Sequence, residues 1–248
     1  MRKSSGKYIA FLVMSFFALS CGTTMLIDTN LQKEATVMSV KRTSIFLGKE
    51  IISFGNYYTG KVTRTPTLSG LLNTDMDIKV LKEEINFEMK EGSMNQSNVY
   101  CLGKLGKEDL SLIKGKNDEE EENNENEEMI NKQKDTYKGT IDCISNCGKW
   151  HFLIINSYSL EGDTSLGYLS NGSVRINIEQ VTTLTSGQVT EGEKLGYEFI
   201  LNNEAIGAID LIGRGKVVMK NDVPSDIKFA IANVVAALLL KSDLNDSY

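Results

Sequence analysis

Residues 197–219 read YEFILNNEAIGAIDLIGRGKVVM. Tyr197, Phe199 and Leu201 occupy every second position around Glu198 and Ile200. A period of two sends one set of side chains to a core face and the other away from it, so this stretch predicts a strand. Asn202-Asn203 follows. Asn tolerates positive φ, and two of them between alternating runs predict a tight hairpin into Glu204–Ile212. Gly213-Arg214-Gly215 then predicts a turn into Lys216–Met219.

The same alternation recurs outward from this hairpin. Ile85, Phe87 and Met89 alternate with Asn86 and Glu88, and Val174, Ile176 and Ile178 alternate with Arg175, Asn177 and Glu179. Phe152–Ile155 is a continuous apolar run and predicts a strand buried on both faces. Matching to strand templates predicts roughly ten to thirteen short strands. Pro66 lies in a Thr-Pro-Thr-Leu-Ser-Gly run that predicts a loop between early strands. Beyond Pro224 the pattern changes. Ile227, Ile231, Val234, Val235 and Leu238 fall at helical spacing, with Pro224-Ser225 suited to a start and Lys241 to a stop. The later turns are apolar nearly all round, which predicts a helix at 225–241 packed in a core. A membrane-surface helix would need a basic polar face, and only Lys228 and Lys241 are basic here. The expected fold is mainly β, an antiparallel sandwich or open barrel with one packed C-terminal helix.

The chain has 248 residues, 41% hydrophobic and 24% charged, as a folded domain with a sizeable core requires. That composition excludes a wholly disordered chain, a collagen-like repeat and a polytopic membrane protein. The formal charge of -6 argues against nucleic acid as a partner, because phosphates call for a basic face.

Residues 1–7, MRKSSGK, are basic, and residues 8–19, YIAFLVMSFFAL, are apolar apart from Ser15. A short basic region, a short apolar region and small residues after it describe a secretory signal at residues 1–20, too short to span a bilayer. Its end, Ala18-Leu19-Ser20-Cys21, resembles the lipobox of bacterial lipoproteins, with Ala18 where that family most often has Leu. The resemblance covers residues 1–22. It implies that the Cys21 thiol receives a diacylglycerol and that the signal is cut before it. The new amino group is then acylated and the chain anchored in the cell envelope. Gly22 in place of Asp favours the outer membrane. Plain signal cleavage at Ala18-x-Ser20 would cut the same bond. Losing residues 1–20 removes Arg2, Lys3 and Lys7 and leaves a formal charge of about -9. Residues 21–34 are then expected as a lipidated tether, and 35–248 as a β-rich domain.

Residues 117–135 read NDEEEENNENEEMINKQKD, with eight acids among the eleven residues 118–128. Such a stretch buries no apolar surface and predicts a disordered insertion between strands. It lacks the spaced ligands and central Gly of an EF-hand loop. It either divides two β subdomains, about 35–116 and 136–248, or interrupts one continuous sheet.

Cys101, Cys143 and Cys147 remain. In an oxidising compartment one pair should form a disulfide and one thiol should be left over. Ser145, Asn146 and Gly148 predict a turn that brings Cys143 within bridging range of Cys147, and Cys101 is the competing partner. His151 is the only histidine. It completes a three-thiolate, one-imidazole set with Cys101, Cys143 and Cys147, the ligand count of a structural zinc site and the one cofactor the residues suggest. Cys147 with His151 would also be a nucleophile pair, though without an assignable orienting Asn or Asp. No Ser stands in a G-x-S-x-G elbow. Gly213-Arg214-Gly215-Lys216 lacks the phosphate-loop spacing, so it reads as a turn. The acids Asp75, Asp77, Glu83 and Glu84 offer no assignable carboxylate pair.

These readings leave three functions open. The first is a lipid-anchored, non-enzymatic binding or structural module of the envelope, with an unknown envelope protein or ligand as partner. The second is a barrel that carries an apolar ligand. The third is a metal protein or enzyme built on the Cys/His set.

Overall fold

Among the described residues, thirteen strands form one antiparallel sheet in the computed structural model, which describes residues 23–45, 49–69, 80–106, 134–144, 147–157, 164–190 and 195–241. The strands are β1 (Ala35–Ser39), β2 (Lys41–Ile45), β3 (Lys49–Phe54), β4 (Tyr57–Ser69), β5 (Val80–Glu91), β6 (Asn95–Gly106) and β7 (Lys134–Cys143). They continue as β8 (Lys149–Ser157), β9 (Thr164–Ser170), β10 (Arg175–Val181), β11 (Gly196–Leu201), β12 (Glu204–Asp210) and β13 (Lys216–Lys220). Helix α1 (Thr29–Glu34) precedes them and α2 (Ser225–Leu240) follows. From β2 to β13 each strand pairs with the next, and β1 returns to pair with β13.

The hairpin at 197–210 forms because Asn202 and Asn203 accept φ values of 52° and 64°, which lets Leu201 face Glu204 directly. A bulge lies just beyond it: Ile200 pairs with Ala205 but Phe199 with Gly207. The extra residue, Ile206, therefore turns inward.

Closure follows from chain order. β1 and β2 are the two edges of the sheet, yet only Val40 separates them. Residues 35–45 thus run as one extended strand whose first half pairs with β13 and whose second half pairs with β3. Val40 N–H donates to Gly215 O at 3.2 Å where the two edges meet. The sheet is therefore curled into a nearly closed barrel, and following register partners once around it returns to the same strand displaced by about 12 residues. At one end, called upper here, β3–β4, β5–β6, β7–β8, β9–β10 and β11–β12 turn within a few residues. At the lower end lie the strand ends Ser69 and Val80, Gly106 and Lys134, and Ser157 and Thr164.

Eight strands leave room for side chains or one small ligand. This wider barrel is filled by α2. Thirteen of its sixteen residues are buried, because it has wall on every side. Phe229 meets Tyr57 of β4, Asn233 accepts from Ser97 of β6, and Ala237 O accepts from Tyr137 of β7. Ile231 and Leu239 lie toward Gly207 and Gly215 on the opposite wall. An apolar surface all round is thus the signature of a helix inside a barrel, not of one lying on a membrane.

The wall alternates accordingly. On β5, Glu83, Ile85, Phe87, Met89 and Glu91 are buried while Asn86 is exposed. The outward set on β5–β8 includes Asn86, Glu88, Asn98, Lys138 and Asp142, the reverse of the apolar outer band of a membrane-spanning barrel. β8 follows the same rule. Phe152 and Ile154 are buried and Leu153 and Ile155 only partly so, so this run is not buried on both faces as its apolar sequence suggested. The strands buried on both faces are β12 and β13, because a second, outer core covers them.

That outer core is built by the segment expected as a tether. From residue 23 onward it is docked. Met25 and Leu31 pack with Leu184, Leu195, Ala205, Ala208 and Val218. Asp28 caps α1 by accepting from the N–H groups of Asn30 and Leu31, both at 2.9 Å. At the upper rim Lys220 Nζ ties Glu34 (3.2 Å), Glu204 and Asp222 (3.6 Å). The acidic stretch lies almost wholly outside the described residues. Its flanks, Gly106 and Lys134, are register partners, so one continuous sheet runs across the insertion rather than two subdomains.

Candidate functional site

The lower mouth of the barrel is where the inner wall becomes charged. Register partners share a face, so Arg42 stands with Ile52 and Arg64 with Ile85 on the inner side. Glu50 and Glu83 keep the same parity on β3 and β5. Arg64 bridges the two acids, at 2.7 Å to Glu50 and 3.1 Å to Glu83, and Arg42 lies 3.9 Å from Glu50. The result is a row of alternating charge across four adjacent strands. Glu83 is buried, whereas Arg42 remains half exposed. A carboxylate in such a place needs its cation, and Arg64 supplies it.

Behind this row the C-terminal end of α2 meets the wall. Tyr137 Oη donates to Ala237 O at 2.9 Å, satisfying a helix-end carbonyl, and Lys241 Nζ lies 5.4 Å from the Tyr137 ring centroid. Cys101 is fully buried beside it. Burial pushes the Cys101 thiol up to about 12, the Glu83 charge adds to the rise, and a hydrogen bond with Tyr137 pulls the other way. The Tyr137 hydroxyl is raised for the same reason, chiefly by burial. A thiol held this high is inert as a nucleophile. In the native protein Cys101 is expected to resist a maleimide for hours and to react within minutes once denaturant opens the barrel. Fast native labelling would contradict this.

The second feature is the seam between the edges. A cavity of about 690 Å3 is lined by Val40, Lys41, Arg42, Gly213 and Arg214. Gly213 (φ 63°) and Gly215 (φ 89°) let the β12–β13 turn fold back beside β2. The three basic side chains are all exposed. Here three cations converge on a protein that is acidic overall.

No protein-family model, curated protein or solved structure matches this chain.

Cys21 lies outside the described residues, as do Asp75 and Asp77. The structure joins Cys143 to Cys147 across the β7–β8 turn at the upper end, with Cα atoms 5.6 Å apart. Trp150 Nε1–H donates to Cys147 O at 2.9 Å, which holds the turn independently of the sulfurs. Cys101 faces the interior of β6, and His151 is exposed on the outer face of β8. The wall therefore separates the four candidate zinc ligands, and among the described residues no group of three or more His, Cys, Asp or Glu side chains is placed to hold a metal. Cys147 and His151 do not form a nucleophile pair, since the sulfur is bonded to Cys143. Glu83 and Glu84 lie on opposite faces: Glu83 pairs with Arg64 inside, and Glu84 hydrogen-bonds Tyr100 outside.

Sequence reasoning passed over Arg42, Glu50, Arg64 and Lys41, and read Arg214 only as part of a turn. One signal was present. The alternation of Ile85, Phe87 and Met89, carried back two residues, puts Glu83 on the core face, where a buried acid demands a cation. Which cation depends on strand register, and only the fold supplies that.

Proposed function

We propose that this protein is a lipid-anchored lipoprotein of the bacterial cell envelope whose barrel is a non-enzymatic binding or structural module. The observation that carries the reading is the run from the basic start through the apolar stretch to Ala18-Leu19-Ser20-Cys21. Its neighbour in the fold supports it. From Thr23 the chain is laid along the wall, so an acyl chain on Cys21 would hold the barrel itself against a bilayer rather than on a long leash. Gly22 favours the outer membrane as the site of the anchor. Two or three acyl chains hold a protein firmly, whereas one does so marginally.

The filled interior bears on the alternatives. A carrier needs space for an apolar ligand, and here α2 takes that space, so carriage would require the helix to leave. Binding is better placed on the surface, at the charged lower mouth and seam.

Growth with an alkyne-bearing palmitate tests the anchor. The full chain should carry the label and fractionate with membranes, and Cys21→Ser should lose both. An unlabelled wild-type protein, or label that survives Cys21→Ser, would overturn the reading.

A further inference from the structure

We infer that the seam between β2 and the β12–β13 turn is a binding site for the phosphate of an anionic lipid headgroup in the leaflet that holds the anchor. Three observations converge on it. The first is charge. Lys41, Arg42 and Arg214 line one cavity of about 690 Å3, large enough for a phosphate with its glycerol, in a chain of formal charge -6. Phosphate needs cations and N–H donors, and this seam gathers three cations around one cavity.

The second is a backbone donor. Val40 N–H points to the β13 side and donates to Gly215 O. Along a strand, N–H groups two residues apart point the same way, so the Arg42 N–H also faces the seam. The β3 residue opposite agrees with this, because Ile52 N–H turns away from β2 to donate to Thr59 Oγ1 at 2.9 Å. Among the described residues β2 ends the sheet here, and no further strand lies on its outer side. An amide at an open edge, flanked by three cations, is an anion-binding arrangement. The Gly213–Gly215 turn thus contributes without being a phosphate loop of the helix-capping kind.

The third is position. Met25 packs against the lower ends of β10–β12: its N–H approaches Asp210 at 3.4 Å, and Leu26 N–H donates to Thr183 O at 2.7 Å. Ile212, one residue before the seam turn, packs on that same outer core. The chain therefore reaches the wall beside the seam. Cys21 is two residues before Thr23, at most roughly 7 Å of extended chain. An anchor there presses this end of the barrel to the bilayer. β6 and β7, which flank the acidic stretch in sequence, lie on the far side of the wall.

This placement rests on the anchoring proposed above, so the test uses protein without the lipid. A chain of residues 22–248 keeps every contact described here. It should co-float with phosphatidylcholine vesicles containing one-third phosphatidylglycerol, not with pure phosphatidylcholine, and should be released as salt rises. Each cation near a charged surface is worth about a fivefold change in binding, so Lys41→Gln/Arg214→Gln should weaken flotation roughly 30-fold. Lys138→Gln/Lys149→Gln removes the same charge from the outer wall and should leave flotation unchanged. Absence of both flotation and phosphate binding, or equal loss in both double variants, would overturn the site. Binding of glycerol 3-phosphate or inorganic phosphate without flotation would overturn the lipid source. Unlabelled Cys21 with intact flotation would instead fail the anchor and leave the seam standing.

Discussion

A chain ending at residue 223 is expected to be a molten, uncooperative species and not a hollow barrel. Ile227, Phe229, Ile231, Val234, Val235 and Leu238–Leu240 are buried against the wall. Each such side chain contributes about 1.5–3 kcal/mol, so together they match or exceed the ~5–15 kcal/mol by which a domain is stable. Truncation also strands buried polar groups. Ser97 loses Asn233 Oδ1 at 2.6 Å, and Tyr137 loses Ala237 O. Near-ultraviolet dichroism should vanish, the heat-induced transition should broaden, and an apolar dye should bind. A truncated chain that melts sharply near the wild-type temperature would show that the wall stands alone. Such a result would return the carrier reading to the front.

Gly139→Val should come close in severity. Gly139 lies on β7, opposite Phe152 and Cys101. A Cβ there would sit 2.4 Å from a Phe152 ring carbon and 2.5 Å from the Tyr100 carbonyl oxygen. The ring could rotate at some cost, but the carbonyl belongs to the neighbouring strand and cannot. Phe152 is itself wedged against Tyr137, with centroids 5.6 Å apart. Overpacking a core costs about 1–3 kcal/mol and more when backbone must move, so a loss of ~3 kcal/mol or greater is expected. Chemical denaturation of Gly139→Val beside wild type measures it. A midpoint shift worth under ~1 kcal/mol would mean that the wall relaxes outward more freely than the register implies.

Much of this architecture was legible because local chemistry and global fold agree. Asn202-Asn203 announces its turn through the backbone it tolerates. The alternation in β5, β10 and β11 marks their faces, and the unbroken apolar surface of α2 marks a helix with no solvent side. Closure was not legible, because nothing local in residues 35–45 reveals a strand shared between two edges. The docked segment 23–34 escaped for a related reason: Met25 opens a run of only three apolar residues and Leu31 stands alone, and their partners lie some 150–190 residues away. The candidate site was mostly hidden. A charged residue in a strand normally points to water, and Arg64 differs only because its register partner is Ile85. The Cys143–Cys147 pair was legible from its turn residues, while the opposed orientations of Cys101 and His151 come from strand parity that an apolar run such as Trp150–Ile155 does not display.

The order of the chain against the order of the fold has a consequence for biogenesis. α2 follows every strand in sequence, yet it occupies the axis that they surround. The first strand, in turn, seals against the last, with Ala35 beside Lys220. A polypeptide delivered from its N-terminus therefore cannot finish its wall as it emerges, because the plug and the closing staves arrive after everything they must complete. Until residue 240 is free, β1 and β2 offer raw edges to any neighbouring strand. Such a chain has to be kept apart from its siblings until it has been released whole, and only then can it shut.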